Sequence, residues 1–436
     1  MLPKIETSTK KLEDYQHIIN KKQFEEIKVL ANDLKGLKVA MVNATPRGGG
    51  VAEILRSLVP LMKGVGLKAE WYTIPPQDDF FKVTKEMHNA LQGKNYDFPF
   101  SHRKKYLRHM ERTAKLMQDM KPDVWVINDP QPAGVIQLLG NFHPSICHIH
   151  IDLSAPNEEV WDFISGYLEM YDAIVVSSKD FVKPEIKDKA VVFPPAIDPL
   201  LSKNVPLDLN SAKRILQEFG LNPNRPLISQ VARFDPWKDP LNVLQSYKIA
   251  KKKIPGLQLA LLGFFEAQDD PEGAKVLKVV QQAVGKDPDV FLCADLNLLG
   301  KIKIDDFVNA VQVVSKVILQ KSIREGFGMS VTEAMWKKKP VIGGKASGIM
   351  MQIRNRENGF IASSPAKTAE RIVELIENPG LSAKIGQEAH LTVKSNFLMP
   401  RLLRDYLKLL KKTANGNRKD INFQARKNLM NTLACY

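Results

Sequence analysis

The chain has 436 residues and carries 63 Lys and Arg against 48 Asp and Glu, a formal net charge of +15 at pH 7. Its 44% hydrophobic and 25% charged residues are ordinary for globular proteins, which excludes a disordered acidic chain, a collagen-like chain and a disulfide scaffold. The excess positive charge predicts an anionic partner, but charge alone does not choose between nucleic acid, a membrane surface and a phosphorylated small molecule.

The cysteines and the first residues bear on the compartment. Cys147, Cys293 and Cys435 are too few and too scattered for a disulfide framework, and the lack of a C-x-x-C pair argues against a structural zinc site. The first residues lack the charged and then apolar layout of a signal peptide, and no uncharged apolar run reaches the roughly 18 residues of a membrane span. We therefore expect a soluble cytoplasmic protein.

Apolar runs of strand length alternate with helical periodicity through the first half of the chain. Residues 38–42 are typical of a buried strand, and residues 51–62 place a stripe of apolar side chains on one helix face. Further strands are predicted at residues 123–128, 146–151, 173–177 and 190–193. Strands that alternate with helices indicate a parallel sheet covered on both faces.

The same alternation starts again after a proline-dense stretch at residues 193–199. A helix opens near Pro240, and strands are predicted at residues 227–232, 257–263, 290–294, 316–320, 340–343 and 359–362. The chain is therefore predicted to be an α/β protein with two Rossmann-like doubly wound domains that face each other across a cleft. The predicted boundaries are 1–200 for the first domain, 207–395 for the second, 396–412 for a closing amphipathic helix and 413–436 for a basic tail.

Two loops at matching places in the two domains suit an anion, because ligands of open α/β sheets lie beyond the carboxyl ends of the strands. Gly49 and Gly50 open the first helix after a strand, where glycine lets backbone N–H groups approach a ligand and the helix start favours negative charge. In the second domain, Arg233 and Lys238 flank a proline-containing turn and could converge on one diphosphate. A tight turn and a solvated surface pair are the alternative interpretations.

The strongest signal lies in residues 322–335, which follow a predicted strand. Glu325 and Glu333 are eight positions apart, with Gly326 and Gly328 between them. Backbone donors at this helix start suit a phosphate, and the carboxylates can accept hydrogen bonds from sugar or ribose hydroxyls. The carboxylates could instead be the general acid and base of a hydrolase, or Glu333 could merely complement the helix dipole.

Polar clusters in the first domain supply further candidates. His148, His150 and Asp152 fall on one strand face, which allows a metal site, one histidine pointing into the cleft, or buried hydrogen-bonded histidines. Residues 128–131 follow a strand, and residues 88–92 lie in a predicted long loop. Both segments carry amide and carboxylate groups that can hydrogen-bond sugar hydroxyls or, alternatively, cap turns. The lack of Gly-x-Ser-x-Gly and H-E-x-x-H motifs argues against a serine hydrolase and a zinc protease.

Residues 324–333 resemble the retaining GT-B glycosyltransferases of the sucrose and trehalose-synthesising group, whose signature is two glutamates separated by seven residues. Further segments are similar to the trehalose glycosyltransferring synthases: residues 48–55, 88–93, 129–132, 150–154, 194–199, 233–238 and 333–336. The resemblance runs from about residue 11 to about residue 410. The His-Asn-Ala-Leu-Gln-Gly and Asp-Pro-Gln-Pro segments indicate the trehalose branch, which also contains trehalose phosphorylases.

The resemblance implies a nucleotide-sugar donor site on the second domain. Arg233 and Lys238 would neutralise the donor diphosphate as charge builds on the leaving group. Glu325 would hold the hydroxyls of the donor sugar, and Glu333 would hold the nucleotide ribose. The turn against Glu325 consists of Gly326, Phe327 and Gly328.

The resemblance also implies that the first domain supplies the acceptor side. Gly49 and Gly50 would approach the phosphate and the reacting centre, and His150 would contact the donor sugar near the anomeric carbon. The implied acceptor-site residues are Asn89, Gln92, Asp129 and Gln131. Because Arg233 and Lys238 would do the neutralising, the resemblance implies that the reaction needs no metal or other cofactor.

Two departures from the family pattern concern a loop near the sugar site. Lys338 stands where glycine is usual, and a left-handed lysine would be strained, so we expect this turn to differ. Ser347 stands where a second glycine is usual before Gly348. The lysines at 337–339 are expected to be solvated surface residues.

The predicted function is retaining glucosyl transfer from UDP- or ADP-glucose to free D-glucose, giving α,α-trehalose reversibly. The expected partners are the nucleoside-diphosphate glucose, glucose and trehalose, with no specific nucleic acid and no membrane, and a homo-oligomer stays open. The alternatives are a trehalose phosphorylase that uses inorganic phosphate, a non-enzymatic basic nucleic-acid-binding protein, and a dinucleotide oxidoreductase, although neither domain carries G-x-G-x-x-G.

Overall fold

The computed structural model describes residues 1–140, 142–263 and 273–415. Within these residues the first seven strands form one sheet: β1 Lys4–Ile5, β2 Lys38–Asn43, β3 Lys68–Thr73, β4 Val124–Asn128, β5 Ser145–Ile149, β6 Ala173–Val176 and β7 Ala190–Val192. Their order is β1-β3-β2-β4-β5-β6-β7, and every pair is parallel except β1 with β3. The helices of this half are α1 Lys21–Asp33, α2 Gly50–Gly64, α3 Asp78–Leu91, α4 Phe100–Met117, α5 Pro130–Ala133 and α6 Glu158–Leu168.

The first sheet is buried on both faces because successive apolar side chains of its strands enter two different cores. Val42 and Ile127 face a core formed with α3, α4 and α6, whereas Met41 and Val126 face a core formed with α1 and α2. This alternation in continuously apolar strands is what a parallel sheet with helices on both sides requires.

The second half of the described chain repeats this plan. Its strands are β8 Leu227–Val231, β9 Gln258–Leu262, β10 Val290–Cys293, β11 Val317–Gln320, β12 Val341–Gly343 and β13 Phe360–Ile361. Their order is β10-β9-β8-β11-β12-β13, and all pairs are parallel. The helices are α7 Leu209–Glu218, α8 Pro240–Lys251, α9 Gly273–Val284, α10 Ile304–Val314, α11 Met329–Trp336, α12 Ser347–Met350, α13 Pro365–Glu377, α14 Pro379–Asn396 and α15 Met399–Asn415.

The last helix returns to the first sheet. The backbone of Ile197, in the proline-rich linker, pairs with Phe397 and Met399, so the two connections between the halves run side by side. The apolar face of α15, which includes Leu403 and Leu407, then packs into the core under α1 and α2. No helix in the described ranges is long and apolar enough to cross a membrane.

The strands predicted from apolar runs are all present, with ends within two residues of the prediction. The sequence reasoning missed β1 and β3, because Lys68, Glu70 and Tyr72 on the outer side of β3 interrupt its apolar pattern. The predicted loop at residues 88–92 is wrong, because residues 88–91 form the last turn of α3. Phe80, Val83, Met87 and Leu91 are buried at helical spacing and hold α3 against the first sheet.

The turn after α11 also differs from expectation. Lys338 keeps the left-handed conformation that a glycine would adopt, with φ of 59°. The backbone N–H groups of Lys338 and Lys339 close this turn, 3.0 Å from the carbonyl oxygens of Met335 and Ala334. A Cβ at Gly386 of α14 would overlap the Lys338 carbonyl, so close helix packing imposes the strained conformation.

Of the three lysines predicted to be solvated here, Lys338 is exposed, whereas Lys337 and Lys339 are not. Lys337 is buried and donates from Nζ to Gln312 Oε1 at 2.7 Å, and Lys339 donates to the carbonyl of Val313. Burial lowers the pKa of Lys337 and of Lys339 to about 8. Two of the lysines that contribute to the net positive charge therefore form hydrogen bonds inside the second domain instead of lying on its surface.

Candidate active site

A cavity of about 800 Å³ opens between the carboxyl ends of the two sheets. Asn43 and Asn128 reach it from the ends of β2 and β4, and Val231 and Gln320 reach it from the ends of β8 and β11. The predicted site residues that line it are Gly49, Gly50, Gln92, Asp129, Gln131, His150, Arg233, Lys238, Glu325, Gly326, Phe327, Gly328 and Glu333. The fold thus gathers nearly all predicted residues around one space.

Glu325 and Lys238 form a close ion pair on the second-domain wall. Lys238 Nζ lies 2.6 Å from Glu325 Oε2, and Ser322 Oγ donates to the same oxygen at 3.0 Å. The Ile323 N–H donates to the Trp237 carbonyl at 2.8 Å, which joins the loops that carry the two charged groups. A carboxylate, which can accept hydrogen bonds from hydroxyl groups, and an ammonium, which can bind an anion, therefore lie side by side.

A second cationic group lies on the same loop. Arg233 Nη2 is 3.7 Å from Asp235 Oδ2, and Lys85 Nζ from the first domain lies 3.7 Å from the same oxygen. Burial would raise the pKa of Asp235, but Lys238, Lys85 and Arg233 together lower it below its usual value. The cations outnumber this carboxylate, so the loop attracts an anion.

The glycines of the 326–328 turn bring the two domains into contact. A Cβ on Gly326 would overlap the carbonyl oxygen of His150, so only glycine allows this approach. Gly328 has φ of 87° and begins α11. Gly348, the glycine that follows Ser347, packs as tightly against this turn. A Cβ placed on it would lie 2.5 Å from the backbone nitrogen of Phe327.

Helix starts from both halves face the cavity. Gly49 is the N-terminal cap of α2, and among the described residues no heavy atom lies within 4 Å of a Cβ placed on it. A Cβ on Gly50 would meet only the Met329 side chain in the described chain, at 3.8 Å. The backbone N–H groups at the start of α2 therefore have room for a ligand, opposite the start of α11, and both helix ends favour an anion.

Asp129 and His150 form the first-domain wall. Asp129 has a left-handed φ of 69°, and its Oδ1 accepts from the His150 backbone N–H at 2.8 Å. Both residues line the cavity. Burial raises the pKa of Asp129 to about 7 and lowers the pKa of His150 to about 3. His150 Nε2 is 3.1 Å from Asn128 Oδ1, so a neutral imidazole donates to that amide oxygen.

The neighbouring histidine belongs to the core instead of the cavity. The rings of His148 and His150 stack at 3.7 Å, and His148 Nδ1 lies 2.5 Å from the hydroxyl of Tyr406 on α15. In the ranges that the structure describes, no group of three or more His, Cys, Asp and Glu is arranged to hold a metal ion. The structure therefore uses His148 to anchor α15 beneath the site.

Asn89 is the one predicted site residue that the structure does not bring to the cavity wall. It is buried in α3, and its Oδ1 accepts from Trp237 Nε1 at 3.4 Å. Its neighbours His88 and Gln92 line the cavity, since the helical geometry of α3 turns Asn89 away from them. Burial lowers the pKa of His88 to about 3, so its imidazole is neutral.

Sequence reasoning missed a lysine that joins the two domains inside the cavity. Lys203 Nζ lies 2.6 Å from Glu53 Oε1 of α2 and 2.7 Å from Glu333 Oε1 of α11. Burial alone would lower the pKa of Lys203, but Glu333 and Glu53 raise it above its usual value. Burial raises the pKa of Glu53, although Lys203 opposes that change. Glu53 lies in a recognisable motif, but nothing in the sequence around Lys203 signals its role.

The family described as trehalose synthase, N-terminal domain, matches residues 41–183, and the family described as glycosyl transferases group 1 matches residues 211–392. The chain is 42% identical over 404 residues to the trehalose synthase of Pyrococcus horikoshii, which covers 92% of this chain and 96% of that protein. The chain belongs to the trehalose synthase family. The family member from Rubrobacter xylanophilus is 40% identical over 418 residues, covering 94% of this chain and 99% of its own.

A more distant relative and two solved structures also resemble the chain. The trehalose phosphorylase of Pleurotus pulmonarius is 29% identical over 398 residues, covering 81% of this chain and 54% of that protein. The sucrose-phosphate synthase of Thermosynechococcus elongatus superposes with a TM-score of 0.67 at 15% identity, covering 86% of this chain and 98% of the other. An α,α-trehalose-phosphate synthase (UDP-forming) from Burkholderia vietnamiensis superposes with a TM-score of 0.67 at 12% identity, covering 87% of this chain and 99% of the other.

These similarities confirm the predicted GT-B fold and the predicted family. They also support trehalose-related glycosyl transfer as the enzyme class, and they do not favour the nucleic-acid-binding or oxidoreductase alternatives.

Proposed function

We propose that the protein is a retaining glucosyltransferase that forms α,α-trehalose reversibly from a nucleoside-diphosphate glucose, UDP- or ADP-glucose, and free D-glucose. The observation that carries this proposal is the Lys238–Glu325 pair at 2.6 Å, in a cavity that helix starts from both domains face. It provides one group for a diphosphate and one for the attached sugar, in contact with each other.

The leaving diphosphate is neutralised without a metal or other cofactor. Arg233 and Lys238 approach it from the second domain, and the N-terminus of α2 at Gly49 and Gly50 approaches it from the first. Preorganised cations and backbone donors stabilise charge that builds in the transition state. Treatment with a chelator should leave turnover unchanged, and loss of activity that Mg²⁺ restores would contradict metal independence.

The donor sugar lies against Glu325, with its hydroxyls donating to the carboxylate. The contact of Gly326 with the His150 carbonyl keeps the first-domain wall close to the anomeric carbon. One oxygen of the Asp129 carboxyl accepts from the His150 backbone N–H at 2.8 Å, which fixes this side chain on the first-domain wall. Asp129, Gln92 and Gln131 then orient the acceptor glucose.

In the reaction, the bond from the anomeric carbon to the diphosphate oxygen breaks as the acceptor hydroxyl oxygen bonds to the same face of that carbon. The leaving phosphate oxygen takes the acceptor's proton, so the configuration is retained without a covalent intermediate on the enzyme. Arg233 and Lys238 favour this route because they hold the leaving oxygen beside the reacting carbon.

Trehalose phosphorylase is the alternative, because the same cations would bind inorganic phosphate. The synthases are 40–42% identical over nearly their whole length, whereas the phosphorylases are 28–29% identical and this chain spans only 54–56% of them. The test is trehalose cleavage in the presence of UDP, ADP or inorganic phosphate alone. Nucleotide-dependent cleavage supports the proposal, and turnover with phosphate only would overturn it.

A further inference from the structure

A second cavity, of about 340 Å³, shares no lining residue with the active-site cavity. Its wall is formed by the segment after α12, the C-terminal end of α14, the first turns of α15 and Pro194 of the linker. Both connections between the domains therefore border it. A cavity of this size can enclose a small metabolite.

The wall of this cavity is strongly cationic. Arg354, Arg401 and Arg404 line it, and its described lining contains no aspartate or glutamate. The carboxylates that pair with these arginines lie outside the wall: Glu357 with Arg354, Asp405 with Arg401 and Arg404, and Glu26 with Arg404. Three guanidinium groups around one small space match the geometry of phosphate oxygens.

Arg401 is the buried member of this set. Its side chain is 7% exposed; Nη2 donates to the carbonyls of Pro194 and Pro195 at 2.7 Å, and Nη1 donates to Asp405 at 2.9 Å. Its buried Nε has no hydrogen-bond partner among the described residues. Asp405 balances the charge of this guanidinium, but the Nε–H keeps unused hydrogen-bonding capacity in the interior, which is costly unless an acceptor such as a phosphate oxygen meets it.

The remaining polar lining suits hydroxyl groups. Ser395, Asn396 and Thr392 of α14 contribute hydroxyl and amide groups beside the arginines. Inorganic phosphate alone would not use this part of the wall. We propose that the cavity binds a phosphorylated monosaccharide, with its phosphate on the arginines and its hydroxyls on α14, and that binding tightens the active site.

Gln352 provides the physical link between the two cavities. It lines the second cavity, and its Nε2 donates to the carbonyls of Phe327 at 2.6 Å, Gly348 at 3.1 Å and Gly328 at 3.3 Å. Its Oε1 accepts from Thr332 of α11 at 2.6 Å. A ligand packed against Gln352 therefore fixes the turn that carries Glu325 and the start of α11.

The bound phosphate also bridges elements of different halves. Arg354 belongs to the second domain, whereas Arg401 and Arg404 begin the helix that packs on the first domain. Joining them through one anion stabilises the arrangement in which Gly326 touches His150. The expected effect is tighter donor binding.

Binding is tested first, because it does not depend on the proposed reaction. Glucose 6-phosphate, glucose and inorganic phosphate are titrated calorimetrically into the full chain and into Arg354→Ala/Arg404→Ala, with Arg214→Ala on α7 as the matched control. Glucose 6-phosphate should bind the parent and the control at least about tenfold more tightly than the double variant. Equal binding to the double variant, or inorganic phosphate binding as tightly as glucose 6-phosphate, overturns the proposal.

The kinetic arm tests the coupling and rests on the proposed function for its readout. Saturating glucose 6-phosphate should lower the donor KM at least about threefold in the parent and leave it unchanged in Arg354→Ala/Arg404→Ala. Gln352→Met should keep the calorimetric binding and lose the KM change. An unchanged KM in the parent despite measured binding overturns the coupling, and if no donor is turned over at all, the proposed reaction fails while the binding result stands.

Discussion

Replacing Lys203 by methionine should destabilise the protein strongly. The ammonium lies 2.6 and 2.7 Å from carboxylates of opposite domains, and the side chains are 14% exposed for Lys203, 25% for Glu53 and 5% for Glu333. Without it, the Glu53 and Glu333 carboxylates lose the cation that lies between them. Removing one member of a buried ion pair costs about 3–5 kcal/mol, because a buried charge is left uncompensated.

The loss should depend on pH. Glu53 already has a raised pKa from burial, and loss of Lys203 raises it further above the unfolded value. A carboxyl group whose pKa is higher in the folded state favours folding below its unfolded pKa, and this contribution is lost as the pH rises through the folded value. The Met variant should therefore be closer to the parent at pH 5.5 than at pH 8.

Thermal melts by circular dichroism at both pH values measure this. At about 2–4 °C per kcal/mol for domains of this size, Lys203→Met should lower the midpoint by roughly 6–20 °C at pH 8. Lys203→Arg should lose much less, Lys203→Met/Glu53→Gln should recover part of the loss, and Lys187→Met on the exposed surface serves as the control. A midpoint at pH 8 within about 1 °C of the parent would refute the reasoning.

Three further predictions concern the cavity wall. Glu325→Gln and Lys238→Ala should each lower kcat/KM for trehalose synthesis at least about 100-fold in protein that circular dichroism shows to be folded, and near-parent rates would refute their roles. Gly326→Ala, whose methyl overlaps a backbone carbonyl of the other domain, should cost at least about tenfold in kcat/KM, whereas Gly166→Ala, at a site open among the described residues, should cost nothing. Burial raises the pKa of Asp129 to about 7, so its contribution to stability is present below about pH 4 and is lost as the pH rises through about 7. Asp129→Asn should therefore raise the melting midpoint more at pH 8 than at pH 5. Equal increases at the two pH values would contradict this.

The fold was predictable because its central strands are nearly continuous apolar runs. Residues such as Val126 and Leu261 lie in sheets covered on both faces, so they show no polar interruption that would hide the strand. Strand β3, next to the edge of its sheet, carries the partly exposed Lys68, Glu70 and Tyr72 on one side, and these polar residues hid its apolar pattern. The 326–328 turn was predictable because glycine at a strand end marks a close approach whatever the approaching group is.

The residues that sequence reasoning misplaced depend on contacts between distant segments. Whether Asn89 or its neighbour faces the cavity is decided by the rotation of α3, which Phe80 and Met87 fix by packing on the first sheet. Lys337 looks like one of many surface lysines until α10 places Gln312 against its ammonium. Lys203 lies in a polar turn, and its importance arises only when α2 and α11 bring carboxylates to it from both sides.

The Lys203 bridge also bears on how Glu333 serves the proposed donor site. One oxygen of Glu333 is held by Lys203 at 2.7 Å, whereas the other is only 3.5 Å from Gln312 Nε2, at the limit of a hydrogen bond. The second oxygen can therefore accept from a ribose hydroxyl without breaking the bridge. Because the same lysine holds Glu53 of the first domain, the carboxylate proposed to bind ribose is positioned by the contact between the two domains. Opening the cleft would then release the lysine and the nucleotide together.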